Sequence, residues 1–423
     1  MAKLRGKALV AQSGGPTTVI NSSLCGVVQE CIRSDEIEAV YGGHNGILGV
    51  LIEDIFDITK ETKMTIEGLK RAPSAAAGSC RYKLKSLKES RREYQRIVDV
   101  FKAHNIRYFF YIGGNDSMDT ADKVATIAGE NDYELRVMRV PKTIDNDLAE
   151  TDHTPGYGSE VKYLATTVME SGRDTEALYT FDAATVVEAM GRNAGWIAAG
   201  AAVAHRTEED APHLVYVPEI PFSFRKFVKD VKETYKRLGR VVILAAEGLQ
   251  DGRGNYITEQ TGDFAKDAFG HVQLGGVAET LKSIIEKEVG IKCRYNKPGT
   301  AQRNAMHFAS LTDVNEAYLV GAQAVREAVA GGSGFMITLI RESDHPYQVS
   351  TGRANLSVVA NGEKFLPRDF MNESGNHITE KCRRYVLPLI RGEAPVTIGP
   401  DGLPEYVRFK RYPVEKKAGE FKI

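Results

Sequence analysis

Two short apolar runs each break abruptly into a loop rich in glycine and aspartate, and that junction limits the folds open to this chain more than any other feature. Arg107–Ile112 (RYFFYI) runs into Gly113–Ser117 (GGNDS), and Arg136–Val140 (RVMRV) runs into Pro141–Asp147 (PKTIDND). Runs of this length bounded by turn residues read as buried strands, and helical spacing follows the first loop over Met118–Ala128. Strands alternating with helices build a mostly parallel sheet, whose ligand loops lie at the carboxyl ends of the strands. Asp145 and Asp147 therefore stand on a binding edge, with Lys142 and Thr143 beside them. One carboxylate to take a hydroxyl proton, one to manage metal or water and a lysine to hold phosphate suit phosphoryl transfer. A lone Asp-Asn-Asp is more often turn chemistry. A second Gly-Gly-Asn-Asp loop placed the same way reverses that balance.

The remaining bounds narrow the class. At 423 residues the chain exceeds one typical core, so two domains are expected, and an apolar content of 42% fills both. Lys plus Arg total 55 against 56 Asp plus Glu, a formal charge of −1, so no basic excess points to nucleic acid or a membrane surface. The opening MAKLRGKALVAQSGG is too short in apolar residues for a secretory signal, and no run of about 18 apolar residues occurs. A soluble cytoplasmic protein is the expectation. Cys25, Cys31, Cys80, Cys293 and Cys382 have no metal-ligand spacing and read as reduced, mostly buried thiols.

Other strand-to-loop junctions follow the same plan. Lys7–Ala11 breaks into Ser13-Gly14-Gly15-Pro16, and Val19, Ile20, Leu24, Val27, Val28, Cys31 and Ile32 then keep one helical face. Free amides and the helix dipole suit that glycine turn, with Gly15 in it, to an anion, while a strand-to-helix turn also often needs glycine for steric reasons only. A strand near Ala39–Tyr41 and the small-residue loop Ala72–Arg81 come next, and Arg81 can meet a phosphate bidentately. Residues 83–105 and 159–170 read as helices. Thr185–Met190 then runs into Gly191 and Arg192, and Val241–Ala246 ends at Glu247, so a second set of strands can face the first across a cleft, the alternative for each being a surface charge on a βα loop. Residues 276–289 and 313–330 read as helices, with Arg294, Tyr295 and Arg303 between them; two arginines nine apart can clamp a sugar phosphate. The last ninety or so residues carry no clear signal.

The ordered set Ser13–Asn21 (SGGxxxxxN), Gly78–Arg81 (GSxR), Gly113–Ser117 (GGxDS), Thr143–Asp147 (TIDND), Met190–Arg192 (MGR) and Glu247 resembles the 6-phosphofructokinases over roughly residues 5–335. The resemblance implies an α/β fold of two Rossmann-like three-layer domains with a substrate cleft between them. Residues 1–150 plus about 305–345 would bind pyrophosphate and Mg²⁺, and 151–304 plus about 346–423 would bind fructose 6-phosphate. By similarity Asp145 is the base for the sugar 1-hydroxyl, assisted in catalysis by Asp116, Lys142 and Arg192. Thr143, Ile144, Asp147, Met190, Gly191 and Glu247 would contact the sugar, and Arg294, Tyr295 and Arg303 its 6-phosphate. Gly270–Gly276 (GHVQLGG) is similar to a family motif but carries Leu274 in place of arginine, so the later pair is preferred.

ATP-using members carry glycine where this chain has Asp116 and Lys142. A carboxylate about 4 Å from a nucleotide α-phosphate costs roughly 4 kcal/mol at an effective dielectric near 20, roughly a thousandfold in affinity. Lys142 is the compensating change, and both substitutions match the pyrophosphate-dependent branch, which runs reversibly in glycolysis and gluconeogenesis. Gly15, Arg81, Gly114 and Lys142 would hold the pyrophosphate. Mg²⁺ would fall to Asn115 and Asp116, although many relatives have aspartate at the first position and an amide is the weaker ligand. Cys25 and Gln29 replace effector-binding arginines, and Ala183 replaces one donated across a subunit interface. A non-allosteric homodimer is the preferred assembly, with a tetramer as the alternative. The other readings are an ATP-dependent 6-phosphofructokinase, an NAD kinase, which lacks the TIDND and MGR pairing, and a non-catalytic sugar-phosphate-binding subunit.

Overall fold

Every apolar run that the sequence marks as a strand is one. The computed structural model describes residues 4–82, 84–258, 276–355 and 362–422, with Asp116 described by its backbone only. The chain opens with β1 (Gly6–Gln12), α1 (Ile20–Arg33), β2 (Ile37–Gly43), α2 (Ile47–Leu51), β3 (Ile55–Asp57) and α3 (Lys63–Gly68). It continues through α4 (Arg91–His104), β4 (Ile106–Gly113), α5 (Asn115–Glu130) and β5 (Arg136–Pro141). A second series holds α6 (Tyr157–Leu178), β6 (Ala184–Ala189), α7 (Trp196–Ala201), β7 (Leu214–Tyr216), α8 (Phe224–Leu238), β8 (Val241–Ala246), α9 (Val277–Ile284) and β9 (Cys293–Asn296). The chain then forms α10 (Leu311–Val329), the hairpin β10 (Phe335–Asp344) and β11 (Tyr347–Asn355), and α11 (Glu380–Val386).

Seven strands in the order β11-β10-β5-β4-β1-β2-β3 make one sheet, and four in the order β7-β8-β6-β9 make the other. All pairs are parallel except β2 with β3 and β10 with β11. Register sets the height of the loops. Gly113 lies opposite Pro141, so GGNDS and PKTIDND leave the first sheet at one level. Ala189 lies opposite Ala246, which does the same for the loops carrying Arg192 and Glu247. The central strands β1, β4, β5, β6 and β8 are buried on both faces, as parallel strands between helical layers must be.

Helix α10 returns to the first sheet and packs on α1 through mutual glycines. A Cβ on Gly26 would lie 2.2 Å from the Tyr318 carbonyl oxygen, and one on Gly321 2.2 Å from that of Ser23. Only glycine lets the two backbones approach so closely. The helix expected over 83–105 is shorter, because serines take the backbone groups ahead of it. Lys85 N donates to Ser90 Oγ at 3.2 Å and Glu89 N to Ser86 Oγ at 3.4 Å, side-chain bonds that compete with helix.

Residues 346–423, expected in the second unit, do not all pack with its sheet. Leu366, Phe370, Met371 and Val386 pack with the core of the four-stranded sheet. Strand β11 pairs with β10 in the first sheet, and Val407, Phe409, Val414 and Phe421 cover its two faces. The reason is apolar area: Phe409 meets Phe56 of β3 at 5.5 Å between ring centres. Among the described residues no helix is long and apolar enough to cross a membrane.

Candidate active site

The strand ends of the two sheets face one another, and the charged groups on them meet in the cleft. Lys142, directly after β5, is buried and its Nζ donates to Gly15 O at 2.8 Å. The same Nζ would be 3.2 Å from a Cβ on Gly14, which also has φ +76. Arg303 reaches this glycine turn as well, with Nη1 3.0 Å from where a Cβ on Gly15 would stand. Two successive glycines thus make room for two cations, and a third, Arg81, is close enough to depress both. Burial pushes Lys142 down to about 8 against the pull of Asp145, with Arg303 and Arg81 adding to the drop. Burial likewise lowers Arg303, then Arg81, while Glu160, Asp145 and Glu247 oppose them. Cations this crowded are a site for a multiply charged anion.

Opposite them sit carboxylates. Burial, then Glu247, lifts the Asp145 carboxyl above the usual aspartate range, against Arg192 and Lys142. Burial and Asp145 lift Asp147 in the same sense. Glu247 is pushed up to about 7 by burial and by Glu188, against Arg192, the Gly191 amide at 3.4 Å and Lys297. Because Asp145 comes from the first series of strands and Glu247 from the second, the effect of Glu247 on Asp145 locates the cleft. The β6 and β8 loops also touch: a Cβ on Gly248 would lie 1.7 Å from the Arg192 carbonyl oxygen. Gln302, buried, accepts from Met190 N at 3.1 Å and so ties the turn carrying Arg303 to the loop carrying Arg192.

Thr143 steadies the catalytic loop, its Oγ1 accepting from Asp145 N at 3.1 Å. Ile144 is 8% exposed and belongs to the core around Tyr157 and Val161. Gly114 precedes α5, and Asn115 opens it with Oδ1 buried and without a hydrogen-bond partner. The side chain of Asp116 lies outside the described residues, as do Gly270–Gln273, Leu274 and Gly275 of the GHVQLGG stretch.

The expected clamp of Arg294 with Arg303 does not close within one chain. Arg294 pairs in register with Thr185, so it lies about 16 Å, five strand residues, from Met190 along β6. There it pairs with Asp182 at 2.5 Å and Asp174 at 3.9 Å, beside a cavity of about 660 Å³ that Tyr295 and Lys292 also line. The Pro298-Gly299 turn, with Gly299 at φ +57, carries the chain from that end to the cleft, where Arg303 is delivered.

Sequence reasoning missed three groups here. Glu160, in the first turn of α6, is fully buried with both carboxylate oxygens unpartnered, and it faces Asp145 and Arg303. From the carboxyl-terminal stretch Glu363 reaches Asp145 and Asp147, and Lys364 reaches Asp147. No spacing relates these positions to the loops they face, so no motif could have found them.

The orphaned Asn115 oxygen is a hard, neutral donor, which fits a divalent cation held mainly by phosphate oxygens and water. Among the described residues no cluster of three or more His, Cys, Asp or Glu could cage a metal.

The phosphofructokinase family model matches residues 7–328. The chain is 46% identical over 418 residues, 98% of its length and 99% of the relative's, to pyrophosphate–fructose 6-phosphate 1-phosphotransferase of Halomonas elongata. It is 45% identical, over 97% of its length and 98% of the relative's, to the protein of that name from Xanthomonas campestris pv. campestris. The solved structure of pyrophosphate-dependent phosphofructokinase from Marinobacter aquaeolei is similar with a TM-score of 0.89 at 41% identity, covering 99% of this chain and all of that one.

Proposed function

The chain belongs to the phosphofructokinase family, and from that premise we propose that it transfers a phosphoryl group from pyrophosphate to the 1-hydroxyl of fructose 6-phosphate. The products are fructose 1,6-bisphosphate and phosphate, and the reaction is reversible. One observation carries the reading: Lys142 and Arg303 converge on Gly14-Gly15, with Arg81 near, directly across from Asp145. A short, highly charged donor fits a turn with three cations around it.

In this reading the glycine turn and Gly114 receive the pyrophosphate, and Lys142 and Arg81 neutralise the phosphate that leaves. Arg303 stands at the seam between donor and sugar, and Arg192 follows the phosphoryl group in flight. Asp145 takes the proton from the 1-hydroxyl, Thr143 fixes its backbone, and Asp147 and Glu247 hold the sugar's hydroxyls with Met190 and Gly191 alongside. Charge spread over the transferring oxygens is the main quantity to be stabilised, so fixed cations in a dry cleft do most of the catalysis. Asn115 and Asp116 would hold Mg²⁺, which when bound screens the donor's negative charge. Ile144 serves the sugar site through the core that supports the loop. Arg294 and Tyr295, on the exposed edge strand, reach a sugar phosphate only where a second copy presents its cleft to them, which accords with a homodimer in the cytoplasm. Cys25 and Gln29 in place of arginines support an enzyme without nucleotide control.

Purified protein supplied with fructose 6-phosphate and Mg²⁺, then with pyrophosphate or ATP, decides the donor through a coupled assay for fructose 1,6-bisphosphate. Turnover with pyrophosphate is the expected result. Turnover with ATP alone would overturn the donor assignment, and silence with both would favour a non-catalytic sugar-phosphate-binding subunit.

A further inference from the structure

The segment 362–366 lies beyond the residues 7–328 that match the family, yet it crosses the catalytic loop. Leu148 and Glu363 form an antiparallel bridge, and Lys364 N donates to Asp147 O at 2.8 Å. Lys364 O accepts from Trp196 Nε1 at 2.8 Å, which fastens this strap to α7. The ammonium of Lys364 then turns under the loop. It donates to Asp152 O at 2.8 Å, to Thr151 O at 3.1 Å and to Asn146 Oδ1 at 3.3 Å, and lies 5.0 Å from the Trp196 ring centre.

Asn146 is the residue between the two working carboxylates, and it is held in the left-handed region at φ +55. A non-glycine residue stays there only when its surroundings over-determine it. Its side chain is fully buried. Oδ1 also accepts from Thr154 N at 3.0 Å, and Nδ2 donates to the Tyr385 hydroxyl at 3.0 Å, which in turn donates to Asp152 O at 2.7 Å. A lysine from the strap and a tyrosine from α11 thus grip the peptide that joins Asp145 to Asp147.

We propose that Lys364 is a positioning residue of the phosphoryl transfer, its ammonium acting through Asn146 to aim Asp145 and Asp147 into the cleft. The inference rests on Asp145 being the base. The charged groups facing Lys364 are Asp147 and Asp152 on the loop and Arg341 on β10, while Glu363 on the strap itself faces Asp145 and Asp147. Lys364 favours the ionised form of Asp147. Its loss therefore moves the acid limb of the activity profile to higher pH.

Lys364→Met is compared with wild type, Tyr385→Phe and Asp145→Asn in the pyrophosphate assay, with melting temperatures recorded. A misaimed base costs on the order of a hundredfold in kcat, because displacements near 1 Å do so. The pyrophosphate KM stays close to wild type, since the donor site is untouched, and the acid limb rises. A merely structural role would leave that limb where it is. Folded Lys364→Met with wild-type kcat, or with a change confined to KM, or with an unmoved acid limb, overturns the proposal. If Lys364→Met fails to fold, Tyr385→Phe carries the test, with a kcat loss supporting the proposal and an unchanged kcat refuting it. Asp145→Asn separates the two readings. Should it retain turnover, the base assignment falls; should it be inactive while Lys364→Met behaves as wild type, only the present inference falls.

Discussion

Replacing Lys142 by methionine removes one charge while nearly keeping the volume that fills the space beside Gly14, and two readouts follow. The first is catalytic. A cation about 4 Å from a phosphate oxygen contributes about 4 kcal/mol at an effective dielectric near 20. If that interaction is made to the leaving phosphate in the transition state, kcat/KM with pyrophosphate drops about a thousandfold. The second is the stability of the unliganded protein. Lys142 falls from 10.5 to about 8 on folding, chiefly through burial. That corresponds to about 3 kcal/mol against the ammonium form. The penalty is fully present below about 8, where Lys142 is protonated in both states. It is relieved as pH rises from about 8 towards 10.5, where the unfolded chain binds the extra proton. Wild type therefore gains melting temperature relative to Lys142→Met across that interval, and at neutral pH the variant is the more stable of the two without substrate. A coupled assay at saturating Mg²⁺ and melts at pH 7 and pH 9.5 test both. Less than a tenfold loss in kcat/KM, or a stability difference that does not change with pH, would refute this account of Lys142.

Other perturbations test separate parts of the cleft. In the free enzyme the carboxyls that must be ionised titrate high, Glu247 at about 7, and Lys142, which must be charged, titrates at about 8. The profile of kcat/KM against pH should be a narrow bell, falling on the acid side as the carboxyls protonate and on the alkaline side as Lys142 loses its proton; a plateau from pH 5 to 9 would contradict it. Gly15→Ala places a methyl 3.0 Å from Arg303 Nη1 and displaces it, so the KM for pyrophosphate should rise at least tenfold with the fold intact by circular dichroism. Asn115→Ala removes the unpartnered amide oxygen, and the Mg²⁺ concentration giving half-maximal rate should rise several-fold; an unchanged requirement would take Asn115 out of the metal site.

The strand-to-loop junctions were legible because two signals coincided at each: an apolar run with the length of a strand, and a polar cluster that could not be buried. β1, β4, β5, β6 and β8 all carry that pair of marks, and they hold Gly15, Asn115, Lys142, Arg192 and Glu247. Strand β7 escaped because Leu214–Tyr216 is too short to show periodicity, and β9 because Cys293–Asn296 is half polar on an exposed edge. The arginine pair shows where spacing misleads. Nine residues do join Arg294 to Arg303, but the turn at Gly299 spends them travelling from one end of the second sheet to the other. The strap could not be read at all. Lys364 follows Asp147 by more than two hundred residues, and its hydrogen bonds go mostly to backbone carbonyls, which any sequence supplies.

The last stretch of the chain gives the cleft a mechanical character. The polypeptide leaves the first sheet after β5, returns with α10, leaves again after β11 to pack Leu366 and Phe370 on the second core, and returns with Phe409 and Phe421. Four covalent crossings join the two bodies. Four separated tethers constrain two bodies more than a single hinge does. A single proteolytic nick in any one of these crossings would therefore leave both bodies joined by the rest.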